Sequence, residues 1–327
     1  MAGAGIPLLI DVDTGIDDAF GLLYACARED VRLLGVSTLA GNVDLAKATR
    51  NTRAVLALAG RADIPVWPGS ARSLLRRARD ASEVHGGTGL GHAVLPEPPQ
   101  DFAPLNAIDQ IVACAHAHRG DLVLVATGPL TNIAMAVMRE PALPSLLKRF
   151  VMMGGAYREG GNVTPAAEFN IWHDPEAARI VFRAFGEPGA APLIAVGLDV
   201  TRQTRLLPEH LDALGERCAA AAHGPALTTF LQDAARHYFD FIAHREGERF
   251  FTMHDPLAIA AAIDPSLIET LAVAVDIETS GEITDGMTLA DWRGVWGRPP
   301  NAQVAVSVRA DAMIEAFLAA MERLARR

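Results

Sequence analysis

Leu8-Leu9-Ile10-Asp11-Val12-Asp13-Thr14-Gly15-Ile16-Asp17-Asp18-Ala19 reads as an apolar strand, a polar loop and the start of a helix whose apolar residues (Ala19, Phe20, Leu22, Leu23, Cys26, Ala27) recur at helical spacing. The same order returns along the chain: 33–38 precedes a helix over about 44–59, 122–126 one over about 130–139, and 150–153 one over about 174–185. Repeated strand-then-helix units imply right-handed crossovers and an α/β fold, with a mainly parallel, Rossmann-like central sheet flanked by helices. Past 205, helices dominate to about 263. Strand-like segments then follow at 271–278, 286–292 and 302–308, which predict antiparallel strands added to the sheet, and a closing amphipathic helix lies near 311–325. No linker or internal repeat interrupts 1–327, so one domain is expected.

In open α/β sheets ligands collect beyond the carboxyl ends of the strands. There the opening stretch places four carboxylates within eight residues: Asp11, Asp13, Asp17 and Asp18. Asp17 and Asp18 fall at a helix N-terminus, but a helix dipole supplies only about half a unit charge, too little for four carboxylates. A divalent cation would balance them. With only oxygen ligands in the cluster, calcium or magnesium is favoured over zinc or copper, and calcium is the choice made here. The spacing is not that of an EF-hand, since Ile16 and Leu22 stand where that loop needs glycine and glutamate.

Composition narrows the partners. Of 327 residues half are hydrophobic and 21% are charged, with a net charge of −10, which repels a polyphosphate backbone and makes nucleic acid an unsuitable partner. The one basic cluster (Arg72, Arg76, Arg77, Arg79) leads into a glycine-rich stretch (Gly86, Gly87, Gly89, Gly91) and reads as the solvated surface of a mobile loop. Cys26, Cys114 and Cys218 are far apart and odd in number, which points to a reducing compartment rather than to disulfides or zinc. The first apolar run, 6–10, is too short for a signal core or a membrane span, so the chain is expected in the cytoplasm with no membrane partner.

Other loops can face the same edge. Ala126-Thr127-Gly128-Pro129 can leave a backbone carbonyl free for a cation, although such turns are common. Asp255, before Pro256, reads alone as a helix N-cap. The loop carrying Gly154, Gly155, Asn162, Glu168, Phe169 and Asn170 gathers amides, a carboxylate and a ring suited to a sugar, or is simply a long polar turn. His85 and His254, each judged singly, read as structural.

Together these residues resemble the inosine-uridine preferring nucleoside hydrolases. The carrying motifs run through most of the chain: Asp11-Val12-Asp13-Thr14-Gly15-Ile16-Asp17-Asp18-Ala19, Ala40-Gly41-Asn42-Val43, His85-Gly86-Gly87-Thr88-Gly89-Leu90-Gly91, Ala126-Thr127-Gly128-Pro129-Leu130-Thr131-Asn132, Gly161-Asn162 with Ala167-Glu168-Phe169-Asn170, and His254-Asp255-Pro256. The resemblance implies that Asp13, Asp18, Asp255 and the Thr127 carbonyl hold calcium. It implies that Asp13 is the general base, that Asp17, Asn42, Asn162, Glu168 and Asn170 bind ribose with Met153 and Phe169 beside it, and that His254 and His85 face the nucleobase. It also implies a nucleoside substrate and a homodimer or homotetramer. Thr14 stands where many relatives carry proline, with little expected effect on the metal. Asp11 is expected to support the loop rather than touch substrate.

The chemistry agrees. Cleaving a ribosyl bond passes through an oxocarbenium-like transition state, helped by a calcium-held water that Asp13 deprotonates and by a proton donated to the leaving base. His254 is assigned that donation as a histidine titrating near neutrality, with Tyr238 and His237 as helpers. The expected activity is hydrolysis of the N-glycosidic bond of ribonucleosides, in nucleoside salvage. Two rivals are a haloacid-dehalogenase-like phosphohydrolase, disfavoured because the only lysines are Lys47 and Lys148, and a non-catalytic ribose- or nucleoside-binding protein on the same fold.

Overall fold

Strand β1 (Ile6–Val12) is covered on both sides, with Leu8, Ile10 and Val12 packed into one apolar cluster and Leu9 into another. This is the alternation a fully buried parallel strand requires. The computed structural model describes residues 5–76, 81–98 and 106–327. β2 (Val31–Thr38), β3 (Val66–Pro68), β4 (Val123–Ala126), β5 (Arg149–Met153) and β6 (Leu193–Val196) follow β1 and pair with one another in parallel. Next come β7 (Arg205–Leu206), β8 (Phe251–Thr252), β9 (Ile268–Val273), β10 (Val275–Ile277), β11 (Thr288–Ala290) and β12 (Ala302–Val308). The main sheet has the order β3-β2-β1-β4-β5-β6-β12-β9.

Helices α1 (Ile16–Ala27), α2 (Leu45–Leu58), α3 (Ser82–His85) and α4 (Ala107–Ala117) precede β4. Helices α5 (Thr131–Arg139) and α6 (Leu143–Leu146) lie between β4 and β5, and α7 (Phe169–His173) and α8 (Pro175–Ala184) between β5 and β6. After β6 come α9 (Leu198–Thr201), α10 (Pro208–Cys218), α11 (Gly224–Glu246), α12 (His254–Ile263) and α13 (Ala310–Ala325). One face of the sheet is covered by α1, α10, α11, α12 and α13, the other by α4, α5 and α8. Every residue of α1 is buried, Asp17 and Asp18 of its first turn included, so this helix lies inside the fold rather than on it.

Because β1 lies between β2 and β4, the strand order reverses there, and the loops leaving β1 and β4 open a crevice at the switch point. Asp11 pairs with Ala126, so Asp13 and Thr127-Gly128 leave the sheet side by side.

The expected antiparallel C-terminal strands are present, since β9 joins the sheet antiparallel to β12, although β12 itself runs parallel to β6 and β10 and β11 form a separate antiparallel ribbon. Alternating apolar residues specify which face is buried, not strand direction, so the pattern could not distinguish these pairings. The Arg76 guanidinium is not solvated loop surface: it is clamped by Glu176 at 2.6 Å and Asp285 at 3.0 Å and bonds the Thr279 carbonyl. Arg77 and Arg79 lie outside the described residues. The glycine-rich stretch is also held in place, since Asn51 donates to the Thr88 carbonyl and Gly91 lies against α11 near Ala234. No described helix is long and apolar enough to cross a membrane.

An aromatic chain ties the last helix to the first and on toward the crevice. The Phe317 and Phe20 rings stack at 5.7 Å, Phe20 meets Phe251 at 4.9 Å, and Tyr238 meets Phe251 edge-on at 4.7 Å. Since Phe317 is fully buried, Phe317→Ala should lower unfolding free energy by about 3–5 kcal/mol, read from the midpoint of urea unfolding.

Candidate active site

The loop after β1 buries its carboxylates as soon as it forms. Asp11, Asp13 and Asp18 are wholly inaccessible and Asp17 nearly so. Asp18 reaches back to the Gly15 amide at 2.9 Å, a helix-start bond that leaves its other oxygen to the Thr127 hydroxyl at 2.7 Å. Asn42 serves two carboxylates, giving its backbone N–H to Asp13 Oδ2 at 2.6 Å and its side-chain amide to Asp18 at 3.2 Å. Asp13 Oδ1 is buried with no hydrogen-bond partner. Backbone closes on this carboxylate from two loops: a Cβ added to Gly41 would stand 2.0 Å from Oδ2, and one added to Gly128 would stand 2.7 Å from Oδ1. Only glycine allows that approach.

Asp255, at the start of α12, completes the cluster. Oxygens of Asp17, Asp18 and Asp255 come within 4.8 Å of one another, and Asp17 hydrogen-bonds Asp255. Two carboxylates can share such a bond only through a proton, unless a cation stands in its place. Burial, followed by the charge of Asp18, holds Asp13 well above the usual carboxylate range. Burial followed by Asp17 does the same to Asp255. Burial pushes Asp17 and Asp18 up to about 6. The one basic side chain that acts on Asp18, His85, is itself driven down to about 4 by burial and stays neutral. A set of oxygens so short of positive charge, with the Asp13 Oδ1 left without a hydrogen-bond partner among the described residues, fits a hard divalent cation.

Asp11 does support the loop. Its Oδ1 accepts from Ser37 at 2.5 Å and from Asn132 at 2.8 Å, and Asn132 also bonds the Thr38 carbonyl and the Ser70 amide. Burial raises Asp11 to about 7.

The cluster opens into a cavity of about 610 Å³. Asp17, Asn42, His85, Thr127, Met153, Asn162, Glu168, Phe169, Asn170, Tyr238, His254 and Asp255 all line it. Asp13 and Asp18 stand behind this wall. Asn170 donates to the Thr127 carbonyl at 2.7 Å and the Met153 carbonyl at 3.1 Å, locking the ends of β4 and β5 together. Glu168 caps α7 by accepting the Asn170 and Ile171 amides, and also takes the Gly155 amide. Asn162 accepts the Phe169 amide at 3.0 Å. His85 accepts the Ile16 amide on Nδ1 at 3.1 Å.

His254 departs from expectation. Burial, then the nearby Arg202 charge, pushes it down to about 3, so the ring is neutral near pH 7 rather than titrating there. His237 bonds the Glu83 carbonyl at 3.3 Å and is not among the lining residues. The outer wall adds Trp172, Leu198, Arg202, Arg205, Phe241 and Arg245. Tyr238, Phe241, Ile242 and Arg245 share the i, i+3, i+4, i+7 face of α11, a spacing that is visible in the sequence. Arg202 and Arg205 leave no such signature, because short irregular backbone brings them to the rim.

The family model of inosine-uridine preferring nucleoside hydrolases matches residues 8–315. The chain is 38% identical over 308 residues to the inosine-uridine preferring nucleoside hydrolase of Leishmania major, covering 93% of each. It is 37% identical to the pyrimidine-specific ribonucleoside hydrolase RihA of Photobacterium profundum, covering 98% of each. Among solved structures, the purine-preferring ribonucleoside hydrolase from Gardnerella vaginalis aligns with a TM-score of 0.90 at 31% identity, over 98% of this chain and 99% of that one.

The raised carboxyl groups predict a pH dependence. Asp17 and Asp18 at about 6 and Asp11 at about 7, against 3.8 in a free chain, keep protons that the unfolded chain releases. Their contribution to stability is therefore full below the unfolded value and is lost as pH rises through 6 to 7. In chelator, Tm should fall between pH 5 and 8, and an added divalent cation should raise Tm more at pH 8 than at pH 5.

Proposed function

The chain belongs to the inosine-uridine preferring nucleoside hydrolase family and is a hydrolase of the N-glycosidic bond of ribonucleosides, and on that premise we propose that it works with calcium and with Asp13 as general base. The observation that carries this reading is the buried Asp13 Oδ1, without a hydrogen-bond partner among the described residues, on a carboxylate that feels the charges of Asp18 and Asp17, next to a trio of Asp17, Asp18 and Asp255 oxygens within 4.8 Å of one another. Asp13, Asp18, Asp255 and the Thr127 carbonyl would hold the ion; Asp17, whose oxygen lies within 4.8 Å of those of Asp18 and Asp255, would join them. Calcium bound there would acidify and orient the attacking water.

The remaining work falls to side chains. Asp13, its Oδ2 fixed by Asn42, keeps Oδ1 free to take the proton of the water. Asp17, Asn42, Asn162, Glu168 and Asn170 would bind the ribose, with Met153 and Phe169 against it. Bonds that tighten as charge develops on the sugar raise turnover rather than only affinity. His254, His85 and Tyr238 would meet the nucleobase. A neutral His254 acts there as an N–H hydrogen-bond donor rather than as a cationic acid.

Relatives of equal similarity differ in their named base, one pyrimidine-specific and another inosine-uridine preferring. An inosine-uridine preference is the reading adopted here, on the placement of His254 beside Asp255 at the cavity. A single domain is inferred because β12, next to the last helix, inserts into the sheet that β1 begins. A homodimer or homotetramer in the cytoplasm, acting in nucleoside salvage, completes the proposal, in keeping with three unpaired cysteines.

Release of free ribose from inosine, uridine and their purine and pyrimidine analogues tests the core of it. Turnover should stop with a calcium chelator and return with calcium, and Asp13→Ala should lower kcat about 1,000-fold. Chelator-insensitive turnover would remove the metal, and a near wild-type Asp13→Ala would remove the base. Separately, Gly41→Ala, which drives a methyl into the Asp13 carboxylate, should lower kcat about 100-fold while the folded state survives by circular dichroism.

A further inference from the structure

We propose that Thr201 is a positioning residue, fixing the His254 ring in the tautomer that carries its proton on Nε2, so that this N–H faces the departing base. The inference rests on the role proposed for His254.

Thr201 closes the short helix α9 and is wholly buried. Its hydroxyl lies 2.7 Å from His254 Nδ1, and no other hydrogen bond to that hydroxyl is found among the described residues. Two arrangements satisfy the distance. If Nδ1–H donates to the hydroxyl oxygen, the buried Thr201 O–H is left with no acceptor among the described residues, and the ring carries its lone pair on Nε2. If the hydroxyl donates to Nδ1, the Thr201 O–H is satisfied and the ring proton sits on Nε2. Burial decides for the second, because an O–H without an acceptor is the costlier outcome.

His85 corroborates the pattern with a donor that cannot reverse. Its Nδ1 accepts the Ile16 backbone N–H at 3.1 Å, so the ring proton is again on Nε2. Two histidines lining one cavity are thus held from behind by a donor at Nδ1, a consistent design for presenting N–H groups forward. The position of Thr201 is itself well determined. In the same short helix, Asp199 accepts the amides of Tyr157, Arg158 and Glu159, and the adjoining Arg202 donates to the Gly161 carbonyl at 3.1 Å. Backbone also locks it, since the Met253 amide bonds the Thr204 carbonyl and the Thr204 amide bonds that of Thr201.

The test uses Thr201→Val, which removes the hydroxyl at nearly constant shape, and Thr201→Ser, which keeps it. Two-bond proton–nitrogen spectra of histidine-labelled protein, with the His254 signals assigned through His254→Gln, report the tautomer without reference to activity. Wild type and Thr201→Ser should show Nδ1 unprotonated, and Thr201→Val should lose that pattern. On inosine or uridine Thr201→Val should lower kcat by on the order of 10- to 100-fold with KM within about twofold. The loss should be much smaller on 4-nitrophenyl riboside, whose leaving group departs as a stable anion that needs no hydrogen-bond donor. A wild-type ring protonated on Nδ1, a Thr201→Val ring that keeps Nε2–H, or equal losses on both substrates would overturn the inference. If wild type cleaved no nucleoside, the catalytic reading would fail while the spectra still decided the tautomer.

Discussion

Four carboxylates buried in one crevice, with no charged base beside them, set the terms for the rest of this molecule. Asp13, Asp17, Asp18 and Asp255 are removed from water and left to repel one another, so each holds its proton more tightly than usual. Such a cluster costs stability unless a cation or shared protons offset it. A fold that retains it must be rigid around it.

That rigidity comes from backbone and amides rather than from salt bridges. Gly41 and Gly128 bring two loops against Asp13, and no larger residue fits at either place. Asn42 and Asn132 act as two-headed braces, one between Asp13 and Asp18, the other between Asp11, Thr38 and Ser70. Asn170 joins the ends of β4 and β5 through Thr127 and Met153, and Glu168 holds the start of α7. Behind them, α1 is buried on every side, so the helix that bears Asp17 and Asp18 cannot shift without disturbing the core. Helices α9 and α11 supply the Thr201 support of His254 and, with Tyr238 and Phe241, aromatic lining to the same cavity.

Much of this was legible beforehand for local reasons. Short continuous apolar runs specified β1, β2, β4 and β5, and 3.6-residue periodicity specified α1, α2, α5, α8 and α13 to within a residue or a few. The acidic run after β1 identified the crevice because strand ends collect ligands whatever the detail of the fold. The short strands β3 and β6 went unnoticed, since three or four apolar residues give too little pattern. The role of Glu168 as a helix cap, the use of Asn42 on carboxylates and the clamp on Arg76 depend on partners far away in sequence, and no local signal carries them.

The sequence by itself determined the alternation of strands and helices, the cluster of oxygen ligands and the motifs of the family, because each rests on residue types at short spacing. Tertiary structure alone decided that β12 runs parallel beside β6, that His254 is neutral, and that Thr201 stands behind it. Strand direction, desolvation and hydrogen-bond partnership are properties of what packs against a residue, and residues 201 and 254 meet only when the chain has closed.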